Sequence, residues 1–406
     1  MPAHVCRPLV GLSSRERRSL VALLGFLTFN AVYSGIVTAP VLTQIANEFE
    51  ITTGTAGLVV AAYGAPGILV ALLTGPYSDR FGRKRFLVAG SLIMGTFTLL
   101  SAFATGFAVL VATRIVAGIG TSVIFPNVTA TVGDNFSYRE RGNVMGTVIG
   151  LNTLAGVVGV PLAGIIAEAT TWRVAIGMVG ILSILASLLL LWKLHPAQIA
   201  LNESRIAEIY RSILTNRSAL GAIGSSFLGA LYWFTWATYI VVFFERAFSL
   251  SQGVASTFAL TQGLGVLLGS QLGARLGTRV GHRPVVAGSV LLSGILLLLQ
   301  TNLEPPLLAT ALLNVALSAV IGARFASNTT LLTEQVPEAR GTLLALSASV
   351  TSASIVAGAT IGGLIIDGPG FWALGAFCFI AAASAALVVW IFVREEPIDL
   401  EIAPAV

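Results

Sequence analysis

Five charged side chains lie close together between Gly75 and Arg85: Asp79, Arg80, Arg83, Lys84 and Arg85. Such a group does electrostatic chemistry, and its four cations would hold the segment on the cytoplasmic side of a membrane. Gly75 and Gly82 flank the acid, and glycine allows a tight reversal and a close approach of two helices. A plain basic loop would explain the arginines, but not the two glycines and the single aspartate.

Other residue types that usually carry catalysis or bind metals are rare and scattered. The three histidines and two cysteines indicate neither a metal site nor a disulfide framework: His4, His195, His282, Cys6 and Cys378. The only lysines, Lys84 and Lys193, lack the glycine before and the Ser or Thr after that a phosphate-binding loop requires. We therefore predict that the chain is not an enzyme, needs no cofactor or metal, and does not use ATP.

The composition indicates a chain that crosses a membrane many times. Of 406 residues, 55% are hydrophobic and only 10% are charged, and the mean hydropathy is +0.89. Soluble domains carry roughly a quarter charged residues. Twelve apolar runs are each near or above the length of about 20 residues that a spanning helix needs. They lie at 19–42, 54–76, 86–105, 107–131, 141–167, 172–193, 218–244, 252–275, 284–301, 305–328, 341–366 and 371–393.

Basic residues predict the orientation of these spans. Of the 23 Lys and Arg residues, Arg114 and Arg324 lie within spans, Arg173 and Arg246 face outward, and the remaining 19 face the side of the N-terminus. This bias predicts an inner-membrane protein with both termini in the cytoplasm. The net charge of +5 is therefore a topology signal, and no soluble basic face for nucleic acid is expected.

The chain also repeats itself. An offset of 199 residues aligns Arg80 with Arg279, Gly82 with Gly281, and Glu168 with Asp367. We predict a first six-helix bundle over residues 1–193, a linker over 194–217, and a second bundle with a short cytoplasmic tail over 218–406. The linker should contain an amphipathic helix, because apolar residues are spaced along one helical face: Ile206, Ile209, Ile213 and Leu214. Parallel repeats place a substrate site between the halves, near mid-membrane.

At Gly75, Asp79, Arg80, Gly82, Arg83 and Lys84 the sequence resembles the major facilitator superfamily, whose loop between helices 2 and 3 reads G-x-x-x-D-R-x-G-R-K. The resemblance implies an all-α fold of twelve helices in two pseudo-symmetric bundles. It also implies that Asp79, with Arg83 nearby and Arg340 at the start of helix 11, holds the halves together at the cytoplasmic side in the outward-open state. The second copy has Thr278 in place of the acid. A solvated loop acid is the alternative.

Arg114 lies in a stretch that resembles the helix 4 motif of the same family, with Leu110, Gly118 and Gly120 at the other motif positions. The resemblance implies a role in proton coupling, whereas a structural arginine bound to helix 1 carbonyls is the alternative. Glu168 and Asp367, near the outer ends of helices 5 and 11, are further coupling candidates. Their alternative is solvation at the membrane interface.

Helix 5 partly resembles the glycine–proline motif of exporters and antiporters in the family, through Gly156, Gly159, Pro161 and Gly164. Val160 and Ala163 depart from that pattern. The motif favours export over import, and plain helix packing is the alternative, because small residues also allow close helix contacts.

Polar and aromatic residues near the centres of helices 1, 5, 7 and 8 could line the substrate site: Asn30, Tyr33, Asn152, Tyr232, Trp233, Trp236 and Gln262. Such a lining suits an amphipathic organic compound, although each residue could equally pack against protein or lipid. No acid lies mid-helix, so a permanently cationic substrate is not expected. We predict a monomeric exporter of a small amphipathic drug or metabolite in exchange for protons. The alternatives are a uniporter or symporter for a sugar, nucleoside or lysolipid, and a non-transporting sensor on the same fold.

Overall fold

A computed structural model describes residues 14–193, 206–303, 305–336 and 340–395, and these ranges are helical with short turns and no β-strand. Twelve long helical segments, here called spans 1 to 12, follow the twelve predicted apolar runs. Eleven of them are long and apolar enough to cross a membrane. The remaining segment, Arg83–Ser101, begins with three cations, which lower the mean hydropathy of this 19-residue helix.

The first half of the chain contains spans 1 to 6. Span 1 consists of Ser14–Ile36, Ala39–Val41 and Leu42–Glu48, and span 2 of Thr53–Ala56, Leu58–Gly64 and Gly67–Phe81. Span 3 is Arg83–Ser101, and span 4 consists of Phe107–Ser122 and Ile124–Asn135. Span 5 consists of Tyr138–Leu154, Ala155–Gly159 and Val160–Ala169, and span 6 is Trp172–Lys193. Span 1 packs on spans 5 and 6, span 3 packs on spans 4 and 6, and span 2 packs on span 4.

The second half contains spans 7 to 12. Span 7 is Arg217–Phe248, and span 8 consists of Gln252–Thr257 and Ala259–Val280. Span 9 is His282–Asn302, span 10 is Leu307–Gln335, span 11 is Arg340–Asp367 and span 12 is Phe371–Phe392. Span 7 packs on spans 11 and 12. Spans 8, 9 and 10 pack on one another, and span 12 packs on span 9. A helix at Ile206–Thr215 precedes span 7. Ile213 is buried there and Leu214 is largely exposed, whereas the side chains of Ile206 and Ile209 lie outside the described part.

The two halves share local structure at the positions that the 199-residue offset pairs. Gly82 and Gly281 both adopt a positive φ, +95° and +96°, a backbone conformation that favours glycine. Each makes the tight reversal between two spans, 2 and 3 in the first half and 8 and 9 in the second. Likewise Gly95 of span 3 contacts Ser183 of span 6, and Gly294 of span 9 contacts Ala382 of span 12. Two similar six-helix bundles therefore make up the fold.

The bundle has two ends, which we name by their residues. The basic end carries the start of span 1, the reversals at Gly82 and Gly281, and the end of span 12. The distal end carries the turns between spans 1 and 2, 5 and 6, 7 and 8, and 11 and 12. The halves meet where span 2 packs on span 11 and where span 5 packs on span 8.

Candidate transport pathway and its gates

Two carboxylates close the distal end by reaching from one half to the other. Glu168, near the end of span 5, accepts a hydrogen bond from the backbone N–H of Gly253 at the start of span 8, at 2.5 Å. Asp367, the last residue of span 11, accepts from the backbone N–H of Gly54 at 3.0 Å and from Thr52 Oγ1 at 2.6 Å. The N–H groups in the first turn of a helix have no partner within the helix and favour an anion.

The two contacts are copies of one another. The 199-residue offset turns Glu168 into Asp367 and Gly54 into Gly253, so each half supplies one acid and one helix start. We call this pair of contacts the distal latch. The sequence offset had identified both acids, but the donors that the two contacts share are the backbone N–H groups of Gly54 and Gly253, which leave no signature in the sequence.

Further polar contacts at the distal end join span 7 to the first half. Thr43 Oγ1 donates to Glu245 Oε2 at 2.6 Å, and Arg246 Nη2 donates to Thr53 Oγ1 at 2.8 Å. The Tyr239 hydroxyl donates to the carbonyl of Ala359 at 2.6 Å and lies 3.5 Å from the carbonyl of Gly54. The distal end is thus closed by side chains from both halves.

Spans 5 and 8 separate toward the basic end. Along one face of span 5, Gly164 meets Ser256 and Val157 meets Gly263, both in span 8. Farther along that face, a Cβ atom at Gly150, Gly146 or Gly142 would have no described atom within 4 Å. The same holds for Gly156, whereas Gly159 packs on Tyr33 of span 1. The described conformation is therefore closed at the distal end and opens between spans 5 and 8 toward the basic end.

One turn of π-helix, Ala155–Gly159, interrupts span 5 just before Pro161. Proline has no N–H to donate, and its ring crowds the carbonyl four residues earlier, so the preceding turn widens. This irregular turn lies where the contact between spans 5 and 8 ends. The glycine–proline segment therefore makes span 5 irregular at the boundary between the part that packs on span 8 and the part that does not.

The residues of the predicted cytoplasmic gate lie at the basic end of spans 2, 3 and 11. Gly75 lies within span 2, and the side chains of Asp79 and Arg340 fall outside the described part. Arg83 forms an ion pair with Asp134 of span 4 at 2.8 Å, a partner that sequence reasoning missed. The Arg80 guanidinium lies 5.4 Å from the ring centre of Phe81. Spans 2 and 11 contact each other deeper in the bundle, where Gly64 meets Ile355 and Gly67 meets Ser352.

Arg114 is completely buried in the first half. Its Nη2 donates to the carbonyl of Ser34 in span 1 at 2.5 Å, and its guanidinium lies 4.3 Å from the ring centre of Tyr63. Nε and Nη1 have no hydrogen-bond partner among the described atoms. This contact with a span 1 carbonyl is the one expected of a structural arginine, and the coupling role stays a prediction.

A second buried guanidinium, Arg324 in span 10, was visible in the sequence, but no role was predicted for it. Its Nη2 lies 3.4 Å from the carbonyl of Ser226 in span 7, and Gly229 leaves the space that the guanidinium occupies. Nε and Nη1 again have no described partner. A charge at this depth is costly and usually faces a partner or a pathway, so Arg324 joins the candidate site.

The predicted substrate residues differ in their access to the space between the halves. Asn30 and Tyr33 are buried in span 1. Tyr232 and Trp236 are completely buried in the second half, where they bond to Ser293 at 2.6 Å and to Asn314 at 3.1 Å. Trp233 packs edge-on against Phe325. The partly exposed candidates are Asn152 of span 5 and Gln262 of span 8.

Comparison with known proteins decides the family. A family model described as Major Facilitator Superfamily matches residues 21–269 and residues 222–405. The chain belongs to this superfamily. A solved bacterial homologue of the human lysosomal transporter Spinster, in an inward-facing and unoccupied conformation, shares the fold of this superfamily member. The TM-score is 0.75, with 16% sequence identity over 94% of this chain and 98% of the other.

Curated relatives of this major facilitator protein have several different names. It is 30% identical to the probable sulfoacetate transporter SauU of Cupriavidus necator over 170 residues. The matched residues make up 42% of this chain and 40% of the relative. It is 26% identical over 211 residues to the chloramphenicol resistance protein CraA of Acinetobacter baumannii, 51% of each chain. The matched part thus spans about half or less of each relative's length. The chain is a multi-pass membrane protein of the superfamily.

Proposed function

We propose that this transporter exports a small amphipathic organic compound by alternating access, in exchange for protons. The observation that carries the proposal is the distal latch, which seals one end while span 5 and span 8 part toward the other. A structure closed at one end by matched contacts from both halves is suited to rocking about a central site. We also propose that the protein is a monomer in the inner membrane. Its basic end and both of its termini would face the cytoplasm.

Protons are proposed to act on the latch acids. Both Glu168 and Asp367 accept hydrogen bonds, and an ionised carboxylate accepts much more strongly than a neutral one. Proton binding would weaken the latch and favour opening of the distal end, and by linkage an open distal end would favour proton binding. Arg114 is proposed to assist this coupling from its buried position between spans 1 and 4.

The proposed substrate carries no permanent positive charge. Among the described residues no carboxylate lies in the middle of a span, and the buried charges there are Arg114 and Arg324. Asn152 of span 5 and Gln262 of span 8, the partly exposed candidates, offer amides where the halves part. An uncharged compound with an apolar body and a few polar groups fits such a lining.

Proteoliposomes that hold a pH-sensitive dye test this function. A panel of neutral amphipathic compounds is added, beginning with chloramphenicol because a relative bears its name. We expect a transported compound to drive proton movement, and an imposed proton gradient to drive its accumulation. Equal rates of equilibration with and without a gradient would instead establish a uniporter. Liposomes without protein are the control.

Organic anions such as sulfonates are the second candidate substrates, and Arg324 favours them. Two of its nitrogens lack a described partner, and a guanidinium binds sulfonate or carboxylate oxygens well. In the same assay, Arg324→Gln should abolish the transport of sulfoacetate while chloramphenicol transport persists. If wild-type protein ignores sulfoacetate at every pH, this candidate is excluded.

A further inference from the structure

A basic pocket of about 650 Å³ lies at the basic end, between the reversal of spans 2 and 3 and the end of span 6. Four cations line it, Arg80, Arg83, Lys84 and Arg85, together with apolar residues that include Leu92 and Leu191. Lys84 Nζ donates to the carbonyl of Leu191 at 2.9 Å. The pocket is thus lined by both cationic and apolar side chains.

The second half contains the same arrangement with an anion built in. Arg283 donates from Nη2 to the carbonyl of Trp390, and the offset of 199 residues maps this pair onto Lys84 and Leu191. At the adjoining helix start, the Glu395 carboxylate accepts from the backbone N–H groups of His282 at 2.5 Å and Arg283 at 2.8 Å. A carboxylate therefore neutralises the start of span 9.

The first half has no such acid at the matching position. The offset pairs Glu395 with Pro196, which carries no charge. Asp134 pairs with Arg83, and the four cations of the pocket outnumber Asp134 and Asp79 taken together. Among the described residues that line the pocket there is no carboxylate, so the start of span 3 has the cations and N–H groups of an anion site.

The surroundings of the pocket favour a lipid as the source of the anion. Leu92 is 40% exposed, Leu191 is 44% exposed and Trp192 is 86% exposed, all beside the cations. An apolar outer surface next to a basic pocket at the end of a bundle suits an acyl chain and a phosphate headgroup. We propose that this pocket binds an anionic phospholipid, such as phosphatidylglycerol, whose phosphodiester takes the place that Glu395 fills in the second half.

Native mass spectrometry of the full chain in detergent tests the site with equal amounts of phosphatidylglycerol and phosphatidylcholine. Each cation near an anionic lipid contributes about 1 kcal/mol. Arg80→Gln with Arg85→Gln should therefore weaken retention of phosphatidylglycerol by about 30-fold. The matched control, Arg275→Gln with Arg279→Gln, removes two cations from the same end of the second half and should retain the lipid. Unchanged binding in the first double variant would overturn the proposal.

A gain-of-binding variant keeps the test decisive if the double variant folds poorly. Glu395→Gln removes the built-in anion, so a second phosphatidylglycerol should bind, and the lipid count should rise from one to two. A count that stays at one contradicts the proposed equivalence. Inorganic phosphate and glycerol phosphate form a further arm. If either displaces the phospholipid at millimolar concentration, the site binds a soluble anion and not a lipid.

Discussion

Each acid of the distal latch accepts a hydrogen bond from a backbone N–H group of the opposite half, and this bond stabilises the closed distal end. Hydrogen bonds to charged groups contribute about 1.5–3 kcal/mol each. A difference of this size between two conformations is enough to shift their populations by more than tenfold. Glu168 and Asp367 therefore have the strength needed to bias the transporter toward the state with a closed distal end.

Neutralising one latch acid should open the distal end. Glu168→Gln keeps the side chain's shape but removes its charge, which should shift the equilibrium by about 1–2 kcal/mol, roughly five- to thirtyfold. Spin labels at Thr170 and Leu303, exposed residues on opposite halves, report the distance across the distal end.

Glu48→Gln is the matched control for this measurement. Glu48 lies at the same end, but it pairs with Arg173 inside the first half. Its neutralisation should leave the distance between the halves unchanged. An unaltered distance distribution in Glu168→Gln as well would mean that the latch does not set the conformation.

At the scale of helices, spans 8 and 10 are held together by an unusually close backbone approach. A Cβ atom at Gly269 of span 8 would overlap the carbonyl oxygen of Ala319 in span 10, and one at Gly273 would overlap Ala323. Small residues let membrane helices approach this closely, and their contact relies on packing because lipid supplies little hydrophobic driving force between helices. Rigid contacts of this kind let each half move as a unit.

Gly269→Ala should destabilise the second half, because the added methyl group meets backbone that cannot swing away. Overpacking of this kind costs about 1–3 kcal/mol, and thermal unfolding in detergent should show a lower midpoint. Gly288→Ala is the control, since a Cβ there has no described atom within 4 Å. Equal midpoints for the two variants would contradict the close approach.

For the whole molecule, alternating access needs one gate at each end, and the described conformation shows the distal one closed. We propose that Gly75, Asp79, Arg80, Gly82, Arg83 and Arg340 form the gate at the basic end when the distal end opens. Spans 2 and 11 already lie against each other at Gly64 and Gly67. A rocking motion about this contact would bring their basic ends together.

Asp79→Asn should therefore act in the direction opposite to Glu168→Gln. It should lower the population with an open distal end and reduce transport several-fold, with the amount of folded protein unchanged. Combined with Glu168→Gln, it should restore part of the wild-type distance distribution. Thr278→Asn changes the offset position in the second half and is the control. Full transport by Asp79→Asn would remove the gate assignment.

Physical reasons decide how much of this architecture the sequence could predict. Span 6 was predicted at 172–193, and the structure has it at Trp172–Lys193, because apolar length alone determines a spanning helix. Substrate residues were harder, because hydropathy does not determine rotation about a helix axis. Tyr232 and Trp236 are completely buried in the described conformation and bond to Ser293 and Asn314, and their contact with substrate stays a prediction. The latch acids of the distal end also accept from the backbone N–H groups of Gly54 and Gly253, which no residue type marks.

The reciprocal form of the distal latch has one more consequence. Because Glu168 and Gly54 both belong to the first half, and their counterparts Asp367 and Gly253 both belong to the second, either half contains both members of the contact. Two identical copies of one half, related by a two-fold axis, would form both contacts across an isologous interface. The seal thus has the geometry of a homodimer preserved within a single fused polypeptide.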